Sequence, residues 1–408
     1  MKFLAVAITI ILIVLLNIYL FRGINGLIEK KKNKKLFQIL FWVWTIPLPL
    51  LIIAVAVLPT EYFKGVSRSI ILTYTVFDII GKIILLLFFV LDDLIHFSTK
   101  KIKEKKGKQV YDESRKQFIK KTGIAISVLP VAGFSFGIVS GAHNYNWHRL
   151  KVKIPNLPNE FHGLKIGQIS DLHSGSFSNL TAVKGGIDMF MSEKPDIVFF
   201  TGDIVNDQAW EIKAVFDIYK NVKAPLGVYS ILGNHDYGDY SNWKSQSAKM
   251  KNFQGILDAH QNLGWDLLRN ENRIVEIGKD RLAIIGVENW GAKMRFQKHG
   301  DLEKAKKGTE GISTKLLLSH DPSHWEAQVI PEHPDIDLMF AGHTHGFQFG
   351  IETPLFRWSP AQYLYPQWAG LYKKGNQQLY VNRGFGFIGY PGRIGILPEL
   401  TLIELVKE

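Results

Sequence analysis

The chain has no cysteine in 408 residues. Disulfides, thiolate nucleophiles and cysteine-bound metals are thereby excluded, and the absence fits a compartment in which free thiols are a liability. There is also no internal repeat, and outside the first third there is no excess of basic charge. Residues 1–121 hold 20 Lys and Arg against 8 Asp and Glu, which leaves 29 of each sign for the remainder. The net charge of +12 is therefore confined to the N-terminal third, and a nucleic-acid partner loses its main support. With 46% hydrophobic residues over this length, core-forming material is ample and two parts are expected.

What the first third does have is long apolar runs. "FLAVAITIILIVLLNIYLF" (3–21), "LFQILFWVWTIPLPLLIIAVAVL" (36–58) and a run from about Ile70 to Phe97 are each long enough to cross a hydrocarbon layer of about 30 Å as a helix. A fourth, "TGIAISVLPVAGFSFGIVSGA" (122–142), is less apolar and contains Pro130. Asp78 and Lys82 stand one helical turn apart in the third run, where they either pair or mark a buried polar site. Residues 1–142 are therefore read as a membrane region of about four helices.

Lysines set the expected orientation, because short loops rich in Lys and Arg stay cytoplasmic. "EKKKNKK" (29–35) follows the first run, and "TKKIKEKKGK" and "SRKQFIKK" (99–121) follow the third, whereas the loop after the second offers only Lys64 and Arg68 against Glu61. Both basic loops are placed inside. The domain after residue 142 is then extracytoplasmic, in a multi-pass protein of a bacterial cytoplasmic membrane. "SRKQFIK" (114–120) resembles a twin-arginine export signal with Lys116 where the second arginine normally stands; an ordinary basic flank is the alternative.

From about Leu164 the pattern changes to short apolar runs separated by polar, helix-like stretches. "LKIGQI" (164–169), "DIVFF" (196–200), "GVYSIL" (227–232), "RLAIIGV" (281–287), "KLLLS" (315–319), "IDLMF" (336–340), "QQLYV" (377–381) and "LTLIEL" (400–405) read as strands. Residues 179–194 and 241–264 read as helices. Alternation of this kind argues a layered α/β domain over 164–408, with 143–163 as a linker or first strand.

Five strand ends deliver an Asp, Asn or His: "SDLHSG" (170–175), "TGDIV" (201–205), "GNHDY" (233–237), "SHDP" (319–322) and "GHTHG" (342–346). Any one of them has a structural explanation, since Asp caps helices and Gly-Asn makes turns. Five together do not. The order D-x-H, G-D, G-N-H-D, H, G-H-x-H resembles the calcineurin-like metallophosphoesterase superfamily over roughly residues 160–408, and "VNRGFGFIGYPGRIGILPELTLIEL" (381–405) is similar to the ending of its bacterial membrane-associated members.

The resemblance implies a four-layer α/β/β/α sandwich of two mixed sheets with a two-metal centre at the strand ends. Asp171, His173 and His345 would hold one metal, and Asn234, His320 and His343 the other, with Asp203 bridging both. Carboxylate, imidazole and amide oxygen suit two divalent or trivalent ions such as Mn, Fe or Zn, which together activate a hydroxide and clamp a phosphate. His235 is left free to protonate the leaving alkoxide, with Asp236 beside it to orient and charge it.

The implied function is a membrane-anchored phosphoesterase acting on a substrate that is lipid-linked or close to the membrane. The aromatic-rich stretch "FQFGIETPLFRWSPAQYLYPQW" (347–368) suits a lipid interface, with Trp358 and Trp368 as exposed members, or else packs the second sheet. Arg383 and Arg393 either contact a substrate phosphate or sit in Gly-rich turns. Two alternatives remain: a non-catalytic membrane sensor or scaffold, and a pyrophosphatase of lipid precursors, which would work on the cytoplasmic face against the lysine-based topology.

Overall fold

The computed structural model describes residues 2–58, 66–104, 113–293 and 298–408, and divides into two compact units, Met1–Phe136 and Gly137–Glu408. The loop residues 105–112, part of the basic stretch used for orientation, lie outside the described residues.

The first unit is helical. Helix α1 (Lys2–Asn25) exposes Leu12 and Leu15 among many apolar side chains, as expected of a helix whose solvent is lipid. The second apolar run is not one helix: α2 (Lys31–Thr45) and α3 (Pro47–Val57) meet at Ile46, because Pro47 has no N–H to continue the ladder and instead occupies the first turn of the next helix. Helix α4 (Val66–Glu104) carries the third run, and α5 (Glu113–Phe136) continues unbroken through Pro130 and includes residues 114–120. Among the described residues, four segments are long and apolar enough to cross a membrane: Val6–Asn25, Lys31–Val57, Ser69–Ser98 and Ser114–Gly141. Four of the charges inside them form two ion pairs. Lys82 Nζ lies 2.5 Å from Asp78 Oδ2, and Lys120 of α5 lies 3.4 Å from Asp92 of α4, which is how ionisable groups become tolerable in an apolar medium.

The second unit is built on two six-stranded sheets. Strands β1 (Asn146–Ile154), β2 (Lys165–Ile169), β3 (Ile197–Phe200), β4 (Val228–Ser230) and β5 (Asp266–Leu267) form the first with β14 (Glu399–Lys407), in the order β1-β14-β2-β3-β4-β5. Strands β6 (Glu271–Ile277), β7 (Asp280–Gly286), β8 (Lys315–Leu318), β9 (Leu338–Ala341), β12 (Gly370–Lys374) and β13 (Gln377–Val381) form the second, in the order β12-β13-β9-β8-β7-β6. Strands β10 (Ile351–Glu352) and β11 (Arg357–Trp358) make a separate hairpin. Both large sheets are mixed: β2, β3, β4 and β5 run parallel while β14 opposes β2, and β7, β8, β9 and β13 run parallel while β6 and β12 oppose their neighbours. Residues 146–154, in the stretch read as linker or first strand, pair with β14 along their whole length.

Alternation along each strand sorts side chains into layers. Ile197 and Phe199 of β3, with Leu316 and Leu318 of β8 and Leu338 and Phe340 of β9, fill the space between the sheets. Val198 and Phe200 turn the other way, onto α6 (Leu180–Ser192) and α8 (Gln246–Leu263). On the far side Leu317, Met339 and Ala341 pack with Trp325 and Val329 of the π-turn Trp325–Val329 and with Leu302 and Ala305. The result is the four-layer sandwich anticipated above. Because β2, β3, β4, β8 and β9 are parallel within their sheets, their C-terminal ends gather at one edge.

Candidate metal centre

At that edge the backbone leaves its comfortable range. Asp171, His173, Asp203, His343 and His345 all have positive φ, between 47° and 72°, a region that non-glycine residues rarely enter. Five ligand candidates sharing this feature indicates strain held in place for a purpose. The neighbouring glycines show why no larger residue stands there. A Cβ on Gly342 would sit 2.2 Å from Asp171 Oδ2, and one on Gly202, at φ 99°, would sit 2.6 Å from the Gly233 nitrogen.

Two groups of ligand atoms converge: Asp171, His173 and His345 in one, and Asp203, His320 and His343 in the other. In the first, His345 Nε2 lies 3.2 Å from Asp171 Oδ1 and 3.0 Å from His173 Nε2. In the second, His320 Nε2 lies 3.2 Å from Asp203 Oδ2 and 3.3 Å from His343 Nδ1, which is 2.8 Å from Asn234 Oδ1. Asp203 Oδ2 is also 3.6 Å from His173 Nε2, so this one carboxylate faces both groups. All seven residues named as ligand candidates in the sequence are thus brought together.

Tautomers are set by the outward nitrogens. His320 donates from Nδ1 to the Thr201 carbonyl at 2.7 Å, which turns Nε2 toward Asp203. His343 reaches Tyr365 Oη at 2.9 Å through Nε2, leaving Nδ1 toward Asn234 and His320. The Asn234 amide nitrogen donates to Tyr240 Oη at 2.9 Å, which turns its oxygen inward.

Charge completes the fit to a metal. Burial alone would raise Asp203, but His320, His235 and His173 hold it well below the usual carboxylate range, and Asp171 is likewise kept low by His345 and His320. Burial draws His173 well below its ordinary value and lowers His343, so both present lone pairs. His320 is pushed up to about 10, against its own burial, by the Asp203 carboxylate. Two buried ionised carboxylates amid imidazole nitrogens and an amide oxygen therefore fit divalent metal ions, which would supply the missing positive charge.

The structure corrects the expectation for Asp236. Its carboxylate does not meet the His235 ring; it accepts from the backbone amides of Asp203, Ile204 and Gly233 at 2.9 Å and of Val205 at 3.4 Å. The reason is local: residues Asn234–Tyr237 form a 3₁₀ turn, in which successive side chains diverge by about 120°. Asp236 clamps the Asp203 loop from behind, and burial with the Asp203 charge raises it to about 7. His235 is held instead by the Asn206 carbonyl, 2.6 Å from Nδ1, with Tyr240 against its ring at 4.5 Å. This contact fixes Nδ1 as the donor to the Asn206 carbonyl.

Arg383 and Arg393 are both buried and engaged internally. Arg383 pairs with Glu399 and Glu352, each at 2.5 Å, and Arg393 donates to the carbonyls of Arg383, Gly384 and Gly386 while approaching His345 Nδ1 at 3.2 Å. Neither is a phosphate contact; they hold the loop behind the ligands. Trp368, expected as exposed, is buried, and its carbonyl accepts from Thr344 Oγ1 at 2.6 Å. Tyr240 and Tyr365 contribute without having been singled out, and no motif in the sequence marks them.

Residues 164–347 match the family model of the calcineurin-like phosphoesterase, and residues 1–142 match that of a probable calcineurin-like phosphoesterase transmembrane domain. The chain is 29% identical to a transmembrane protein with metallophosphoesterase domain of Danio rerio, over 66% of this chain and 59% of that protein. It is 29% identical to the Bacillus subtilis metallophosphoesterase YkuE over 72% of this chain and 97% of that one. Identity to the UDP-2,3-diacylglucosamine pyrophosphatase LpxG of Chlamydia trachomatis is also 29%, over 62% of this chain and 88% of the relative. The match thus spans less than two thirds of the fish protein's length. The chain is a membrane-associated member of the calcineurin-like metallophosphoesterase family.

Proposed function

We propose that the protein hydrolyses phosphoesters at a two-metal centre on the extracytoplasmic face of the membrane, and that its substrate is lipid-linked or membrane-proximal. The observation that carries the hydrolytic reading is the position of Asp203 between two candidate ligand groups, with His235, a member of neither, beside them. Two bound metals would supply Lewis acidity and a nucleophile drawn from water at neutral pH. Asp171, His173 and His345 would hold one and Asn234, His320 and His343 the other, with Asp203 between them. His235, whose Nδ1–H is held by the Asn206 carbonyl, acts in its imidazolium form: Nε2–H gives its proton to the leaving-group oxygen as the phosphorus–oxygen bond breaks, and the ring is left neutral.

The lysine asymmetry supports the extracytoplasmic side: a reporter fused after Glu408 is expected to be active outside, and a cytoplasmic signal overturns that orientation. The catalytic reading is tested on the full chain in detergent or nanodiscs, reconstituted separately with Mn, Fe and Zn. Phosphomonoesters, phosphodiesters and lipid pyrophosphates form the panel. The name of the chlamydial relative favours a second reading, cleavage of a lipid-linked pyrophosphate, which predicts turnover confined to the last class. No turnover with any metal, in a chain that binds two, would favour the scaffold.

A further inference from the structure

The chain between the metal loop and β12 leaves apolar side chains uncovered. The turn joining β10 and β11 is closed by Thr353, whose amide donates to the Phe356 carbonyl at 2.9 Å, and it projects Leu355 and Phe356, which are 98% and 56% exposed. Phe347, Phe349 and Ile351 before the turn and Tyr363 and Leu364 after it are exposed as well. Only two charged residues interrupt residues 347–364, and both have partners: Glu352 is bonded to Arg383, and Arg357 lies over the Trp368 ring at 5.3 Å. An uncovered apolar surface on this scale marks a binding surface or an aggregation liability.

Its place in the fold says which partner covers it. The last candidate span ends in the π-turn Gly137–Gly141, and that turn is tied to the same segment as the hairpin. Arg393 donates its amide to the Gly137 carbonyl at 3.1 Å, and a Cβ on Gly141 would sit 1.9 Å from the Arg393 carbonyl oxygen, so the two backbones are in contact. The next residue, Ile394, bridges Phe349, donates to the Gln348 carbonyl at 2.8 Å and accepts from the Gly350 amide at 2.9 Å. One two-residue step thus joins the turn Gly137–Gly141, where a candidate span ends, to the root of the apolar hairpin, and Phe347 joins that root to His345.

We infer that the segment 347–364 seats its apolar side chains in the lipid of the membrane the chain itself spans, so that the metal site opens onto the bilayer surface and receives phosphoesters carried by lipids. The substrate part of this inference rests on the hydrolytic reading above; the seating does not. Tyr and Phe are suited to this depth, and the absence of unpartnered charge removes the main penalty for entering it.

The absence of cysteine supplies the test, because a single introduced thiol is a unique label. Leu355→Cys and Met250→Cys, the latter exposed on α8, are each labelled with an environment-sensitive dye in the full chain, reconstituted in vesicles of phosphatidylcholine and phosphatidylglycerol. The dye at 355 is expected to emit to the blue of that at 250 and to be quenched by nitroxide-bearing lipids, while that at 250 is quenched only by aqueous iodide. A dye at 355 that behaves as the one at 250, or that escapes both quenchers because protein covers it, overturns the seating. Leu355→Asp and Phe356→Asp are each expected to lower kcat/KM on a lipid phosphoester roughly tenfold and to leave a soluble aryl phosphate unaffected; equal loss on both overturns the substrate part. A lipid-quenched dye in a chain that turns over no phosphoester supports the seating and refutes the hydrolytic reading.

Discussion

Replacing His235 with Ala separates proton transfer from metal binding, because the geometry gives this ring only one of the two jobs. Its Nδ1 is occupied by the Asn206 carbonyl at 2.6 Å, and it belongs to neither ligand group. Its ring nevertheless lies beside the centre, 4.9 Å from the His173 ring between centroids. A positioned general acid contributes about 10²–10⁴-fold, which corresponds to roughly 3–5 kcal/mol of barrier. That contribution is needed only where the leaving oxygen is a poor anion. His235→Ala should therefore slow an alkyl phosphoester by about two orders of magnitude or more while leaving a nitrophenyl ester, whose phenolate departs unaided, much less affected. Metal content by plasma mass spectrometry should match the unaltered chain. Equal losses on both esters would show that His235 acts on binding or on the nucleophile, and loss of metal would show that it is a ligand; either result refutes the assignment.

Asp236→Ala strands four buried amide donors, at a cost of about 3 kcal/mol or more, read as a lower denaturation midpoint together with weaker metal binding through the released Asp203 loop; a change below about 1 kcal/mol would contradict the clamp. His260 is buried against Phe200 and Trp265 with Nδ1 3.0 Å from Ser230 Oγ, and burial pulls it down to about 3 from an ordinary 6.5. The fold thus favours its neutral form: its contribution is fully present above about pH 6.5 and is lost as pH falls toward 3, and His260→Gln should flatten the acid limb of a stability profile between those values.

The strand ends were legible because each ligand motif follows an apolar run, and parallel strands in a layered sheet must release such loops at one edge. Asp171, Asp203 and His320 needed no more than that. The role of Asp236 was not legible, because adjacency along the chain suggested a contact with His235, whereas a 3₁₀ turn sends consecutive side chains apart. Pro47 inside an apolar run of helical length gave a visible sign that the second span is two helices, and length alone hid it. The aromatic stretch 347–368 was read in two ways, and both hold for different members: Trp368 packs beneath the metal loop while Leu355, Phe356 and Tyr363 stay uncovered. Strands of two residues such as β10 and β11 carry no periodicity from which to tell the faces apart. Tyr240 and Tyr365 reach the site by tertiary placement alone.

The arrangement of the carboxylates makes a last prediction about how the two proposed metals would depend on one another. Asp171 offers its ligand oxygen to the first group, with His345 at 3.2 Å, and meets the second only through the His343 backbone amide at 3.0 Å, whereas Asp203 Oδ2 lies 3.2 Å from His320 and 3.6 Å from His173. Removing a ligand that belongs to one group should therefore weaken one metal, and removing Asp203 should weaken both. Thermal stability reads this directly, since a ligand that binds only the folded state at 100 times its Kd stabilises it by about 2.7 kcal/mol per site. The unaltered chain, stripped by chelator and refilled, should gain about 5 kcal/mol from two sites, His173→Ala about half of that, and Asp203→Asn close to none. The comparison is internal to each variant, so any change in the stability of the metal-free fold cancels. Equal gains in His173→Ala and Asp203→Asn would mean that Asp203 serves a single metal, and the centre would have to be redrawn as two independent sites.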